Sequence, residues 1–260
     1  MPADPSRALA GDLGAALDPV RLFRRAVGAE PDGWQRDVLR SAAPRLLLNC
    51  SRQVGKSTCA GVLAAHTALY QPGSLTLLLS PSQRQSGELF RKVRDVFHAL
   101  GAEAAPLDTD NVLSLETRAG SRVVSLPGKE GTIRGFSGAR LLVLDEAARV
   151  SDDLVTAVRP MLAVSGGRLA ALSTPFGRRG WFFEAWAGGG AWERYEIPAA
   201  MCPRISAAFL AEERQALGIF YPQEYECAFL DPVNSLFRGE DVDALLDDDV
   251  QPLFPLTRPA

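Results

Sequence analysis

Lysine is nearly missing from this chain. Only Lys56, Lys92 and Lys129 occur among 260 residues, so 28 basic residues less three leave 25 arginines. A surplus of positive charge is missing too. The formal net charge is −3, which excludes a surface coated in basic groups, and any nucleic acid would have to be held by a local patch. Histidine is limited to His66 and His98, and the cysteines Cys50, Cys59, Cys202 and Cys227 show no CxxC spacing. That pattern argues against a zinc site, and four scattered thiols fit a reducing cytoplasm. The two histidines read as helix-surface or packing residues. No run of about 18 apolar residues occurs, so no membrane span is expected. Met1 to Leu17 lacks a basic start followed by an apolar run, and does not read as a signal peptide.

What remains is an ordinary globular composition, 47% hydrophobic and 23% charged, with room for one large domain or a core with a small appendage. Asp18 and Pro19 signal a first helix, and a second begins near Trp34. Four short runs without polar alternation, Leu46–Leu48, Leu75–Leu79, Leu141–Leu144 and Leu169–Leu172, read as strands buried on both faces. Helical patterns follow them: Lys56 to about Tyr70, a face of Leu89, Val93, Val96, Phe97 and Leu100, and a helix capped by Ser151. Residues 112–126 read as a hairpin around Ala119-Gly120. Strand and helix alternate, so the expected class is α/β with a mainly parallel sheet. Residues 1–17 read as a tail, 18–187 as the core, 188–235 as a small helical lid set off by Gly188-Gly189-Gly190, and 236–260 as a linker.

The sharpest local signal is Cys50-Ser51-Arg52-Gln53-Val54-Gly55-Lys56-Ser57, which follows a buried strand and opens a helix. That is the setting of a phosphate-binding loop. Amides at a helix start point at anionic oxygens and the helix dipole favours negative charge. Gly55 lets the backbone approach, Lys56 places a cation at the β and γ phosphates, and Ser57, followed by Thr58, supplies a hydroxyl for Mg²⁺. Cys50 stands where the usual motif has its first glycine. About ninety residues on, the strand Leu141–Leu144 ends in Asp145-Glu146. Asp145 is placed to hold Mg²⁺ and Glu146 to polarise an attacking water. The glutamate argues for hydrolysis rather than nucleotide binding alone.

With these motifs in order, the chain resembles the ATPase domain of large terminase subunits, the DNA-packaging motors of tailed bacteriophages, from about Leu22 to Phe237. The loop resembles the family's variant form, with an arginine at Arg52. Trp34-Gln35-Arg36 resembles its adenine-recognition glutamine motif, Ser173-Thr174-Pro175 its coupling motif, and Ile133-Arg134-Gly135 the segment that supplies an arginine finger. Tyr221 to Leu230 resembles the end of the lid. The resemblance implies an additional-strand, catalytic-glutamate P-loop fold. It implies ATP and Mg²⁺ as cofactors and Mg²⁺-dependent ATP hydrolysis. It also implies a homo-oligomeric ring that drives double-stranded DNA into a procapsid, with the portal protein and small terminase subunit as partners and the host cytoplasm as location. The family's nuclease domain is expected to be absent, since the chain ends about where that domain should start.

Within that frame Gln35 reads adenine, Arg52 senses the γ-phosphate in the same subunit, Thr174 or Ser173 detects its loss, and Arg134, with Arg140 as competitor, acts in a neighbour's site. Arg91-Lys92-Arg94 and Arg178-Arg179 are candidate DNA contacts, holding phosphates without reading sequence. Asp247-Asp248-Asp249, with Glu240, Asp241 and Asp243, are assigned to a helix and linker surface. Two other readings are a helicase-like or repair translocase, and a nucleotide-binding assembly subunit that hydrolyses nothing.

Overall fold

The computed structural model describes residues 5–102, 105–127, 133 and 135–231. Arg134, Lys129 and the acidic run Asp247–Asp249 lie outside the described residues. Among the described residues, eight strands form one sheet in the order β3-β4-β5-β2-β6-β7-β1-β8. Its centre is built from the four apolar runs: β1 (Arg45–Cys50), β2 (Leu75–Ser80), β6 (Leu141–Asp145) and β7 (Arg168–Ser173). All their mutual pairings are parallel. Strand β7 stands between β1 and β6, the additional strand that the resemblance implied.

Each central strand packs both faces, which is why none of them alternates with polar residues. Leu46 and Leu48 of β1, with Val143 of β6, join one core that includes Leu22, Val62, Ala65, Phe90 and Val93. Leu47, with Leu142 and Leu144, joins a second core that includes Leu154, Val158 and Phe182 on the opposite face. The first core is covered by α2 (Pro19–Val27), α3 (Gly33–Arg40), α4 (Lys56–Tyr70) and α5 (Gln83–Leu100), and the second by α6 (Asp152–Val158) and α7 (Gly180–Ala187). Asp18 accepts a hydrogen bond from the Val20 amide and Ser151 from that of Leu154, the caps expected from sequence.

Three segments depart from the sequence reading. The expected tail forms α1 (Pro5–Leu17), docked on α4, where His66 Nε2 bonds the carbonyl oxygens of Ala15 and Ala16 and the Tyr70 hydroxyl donates to Asp12. The hairpin of β4 (Ser114–Thr117) and β5 (Arg122–Pro127) carries a third antiparallel strand, β3 (Leu107–Asp110). Beyond Gly188–Gly190 the chain first returns to the sheet as β8 (Glu193–Ile197), parallel to β1, before the helices α8 (Ala207–Leu217) and α9 (Tyr221–Tyr225). Helix α9 stops at Tyr225, and Cys227 takes a left-handed φ of 62°.

Candidate functional site

Parallel α/β sheets place ligand sites at the carboxyl ends of their strands, where the connecting loops converge. Here β1, β7 and β6 are neighbours, so three segments meet at one edge: the loop after Cys50, Ser173-Thr174 at the end of β7, and Asp145-Glu146 at the end of β6. Cys50 is fully buried, in register with Ile197 of β8, and the Ser51 amide donates to the Ile197 carbonyl at 2.9 Å. The strand therefore runs through the position where a first glycine would begin the turn. The turn is made later, by Gln53 at φ 61° and Gly55 at φ 93°. A Cβ on Gly55 would sit 3.0 Å from Gln35 Nε2 as well as in left-handed backbone, so this glycine is required twice over. Helix α4 opens directly after it with Lys56, Ser57 and Thr58, and its first amides have no partners within the helix.

Lys56 Nζ lies 3.1 Å from Glu146 Oε1 and both side chains are largely buried. Burial disfavours the Lys56 ammonium, but the carboxylates of Glu146 and Asp145 outweigh it and hold its pKa above the ordinary value. Behind the pair, Asp145 accepts from the Glu146 amide at 3.0 Å, and the Ser57 hydroxyl beside it favours its charged form. Burial pushes Asp145 up to about 6, opposed chiefly by Lys56. Glu146 itself holds a left-handed backbone, φ 51° and ψ 42°, at the start of a short turn over Ala147–Arg149. A non-glycine residue in that region is strained and persists where surroundings impose it.

These groups border a cavity of about 400 Å³ lined by Arg52, Gln53, Lys56, Gln85, Arg149 and Thr174, with Glu146 in its wall. A second cavity of about 610 Å³ opens on Ser57, Asp145 and Glu146 from the side of Lys92 and Arg84. Ser57 and Asp145 offer two hard oxygen donors beside the phosphate-loop lysine. Among the described residues no group of three or more His, Cys, Asp or Glu could hold a metal unaided. The donor set thus fits Mg²⁺ brought in with phosphate oxygens, the usual mode for that ion.

The structure treats the other candidates unevenly. Gln35 is buried and its amide is engaged at both ends, Oε1 accepting from the Asp32 amide and Nε2 donating to the Gly55 carbonyl at 3.4 Å. It braces the loop, and reading adenine would require exchanging those bonds. Arg52 reaches out of the loop to the Glu224 carboxylate of α9, and its amide donates to the Glu224 carbonyl. Thr174 lines the cavity, and Ser173 is buried beside it with no partner for its hydroxyl among the described residues. Arg140 donates to Gln71 and to the Ser165 carbonyl at the opposite, amino end of β6. Arg91 pairs with Glu88 and Arg94 with Asp110, while Lys92 faces the larger cavity. Arg178 and Arg179 lie over Phe183 and Phe176.

Three contributors escaped the sequence reading. Arg149 lines the smaller cavity. Glu224 holds Arg52. Arg204 makes two hydrogen bonds to Asp32, at 2.9 and 2.7 Å, and one to the Val54 carbonyl. Each role depends on distant segments meeting, for which no local pattern exists.

The chain matches the family model described as "Terminase large subunit, T4likevirus-type, N-terminal" over residues 47–242. The terminase large subunit of Thermus virus P23-45 is 27% identical over 271 residues, covering 88% of this chain and 55% of that protein. The chain therefore spans about half the length of the curated relatives it matches. The ATPase domain of the Thermus phage P74-26 large terminase is similar in fold, with a TM-score of 0.72 at 24% identity, covering 82% of this chain and 99% of that one. The large terminase of a thermophilic bacteriophage in complex with ADP aligns with a TM-score of 0.62 at 14% identity, covering 76% of this chain and 53% of that one.

Proposed function

The chain belongs to the terminase large-subunit family, to its N-terminal part, and from that premise we propose that it is an ATP-hydrolysing motor domain acting on double-stranded DNA. The observation that carries the reading is the Lys56–Glu146 contact across the carboxyl ends of β1 and β6, with Asp145 and Ser57 beside it on the same cavity. Without nucleotide, Lys56 is neutralised by Glu146. A triphosphate entering the loop competes for the ammonium and takes Lys56 onto the β and γ oxygens. That transfer frees the Glu146 carboxylate as an acceptor facing the cavity, where it orients and deprotonates the attacking water. Positioned general bases of this kind contribute about 10² to 10⁴ in rate. Ser57 and Asp145 would hold Mg²⁺, which supplies neutralisation of phosphate charge when bound. Gln35 braces Gly55, and Thr174 stands where loss of the γ-phosphate is felt at the end of β7.

The remaining assignments extend this reading. Arg134 is the trans-acting finger. Lys92 and the Arg178-Arg179 pair are the basic groups for DNA phosphates. A ring of copies on a portal, fed by a small subunit in the host cytoplasm, is the assembly. The reading is supported by the family match and by the fold shared with the terminase ATPase domain of phage P74-26. Equilibrium binding of a fluorescent ATP analogue tests it. The wild-type chain is expected to bind in the micromolar range or tighter, and Lys56→Ala to lose at least about tenfold, as removing a charge-assisted contact does. Equal binding by the two proteins would remove the loop from the site. A helicase-like translocase would instead unwind strands without a portal.

A further inference from the structure

The three cations lining the smaller cavity differ in one respect. Lys56 is paired with Glu146 and Arg52 with Glu224, whereas Arg149 has no carboxylate partner among the described residues. Arg149 is instead held by a ring: its guanidinium lies 4.1 Å from the centroid of Phe176, two residues beyond Thr174. An aromatic face orients a guanidinium without neutralising it. The backbone fixes the other end, since the Arg149 amide closes the turn onto the Glu146 carbonyl at 2.9 Å. An unneutralised cation is thus set against the cavity wall between the glutamate turn and the end of β7.

We propose that Arg149 is a second cation, from the same chain, for the terminal phosphate of the bound nucleotide, presented by Phe176. Resting on the reading of this cavity as an ATP site, the assignment explains why an exposed arginine is fixed at both ends. The terminal phosphate carries the charge that distinguishes ATP from ADP, and a guanidinium matches phosphate geometry with paired donors. Binding it links the Glu146 turn to the segment after Thr174 through one side chain. Arg149 is therefore a ligand of the γ-phosphate, and Phe176 a positioning residue.

The test compares dissociation constants for a non-hydrolysable ATP analogue and for ADP, in wild type, Arg149→Ala, Arg149→Lys and Lys56→Ala. Arg149→Ala is expected to weaken the triphosphate about tenfold to a hundredfold and ADP less than about twofold, with Arg149→Lys recovering part of the loss. Phe176→Leu is expected to give a smaller loss confined to the triphosphate. Equal weakening of both nucleotides, or unchanged affinities in Arg149→Ala, would overturn the assignment while leaving the ATP site intact. Wild type that binds neither nucleotide, or Lys56→Ala that binds both as wild type does, would overturn the ATP site and this assignment with it.

Discussion

At the scale of the residue, Asp145 shows what the site costs the fold. Its carboxyl is pushed from 3.8 to about 6 by burial, despite Lys56 nearby. A group more basic in the folded chain than in the unfolded one binds its proton preferentially when folded. Its contribution to stability is therefore full below pH 4 and is lost as pH rises through about 6. Asp145→Asn is expected to raise the thermal midpoint of the nucleotide-free protein at pH 7.5 by a few degrees, to flatten its decline between pH 4 and 6.5, and to abolish hydrolysis. Calorimetry across that pH range checks it; a lower midpoint in the variant would contradict it. Lys56, Ser57, Asp145 and Glu146 were legible in sequence because their chemistry is tied to a local pattern, a strand followed by a fixed turn. Arg149 was not, since one arginine among 25 acquires its role only from the ring beneath it and the cavity beside it.

At the scale of the element, the apolar strands were legible because a strand buried on both faces admits almost no polar residue. Strands β3 and β8 were not, because edge strands have one neighbour and tolerate exposed charge: Glu193, Arg194 and Glu196 of β8, and Asp108 and Asp110 of β3, mask them. The sequence reads as a lid set off at Gly188, yet its far end is tied to β1 and the loop after it, with Asn49 Nδ2 donating to the Cys227 carbonyl at 2.8 Å and Glu224 holding Arg52. In the proposed site, the latter contact would make a carboxylate compete with phosphate for one guanidinium. Glu224→Ala is accordingly expected to tighten binding of the ATP analogue a few-fold, because Arg52 is released to the cavity. The pair is partly exposed, so the cost to stability should stay below about 1 kcal/mol. Titration of the variant beside wild type checks both; weaker nucleotide binding with unchanged stability would contradict the competition.

At the scale of the whole molecule, the proposed mechanism takes one arginine, Arg134, from a neighbouring copy. Isolated chains should hydrolyse slowly, and turnover per chain should rise with protein concentration as copies associate. Arg134→Ala should abolish that rise, with a loss approaching the thousandfold typical of an arginine finger. Turnover independent of concentration in both proteins would remove the trans contribution. In the proposed mechanism Glu146 activates water for ATP hydrolysis beside the Lys56 loop. Steady-state phosphate release by wild type and Glu146→Gln, alongside their ATP affinities, tests it most directly. Wild type is expected to release phosphate in an ATP-dependent manner, and Glu146→Gln only at background with ATP still bound; equal turnover in the two proteins would contradict the role of Glu146.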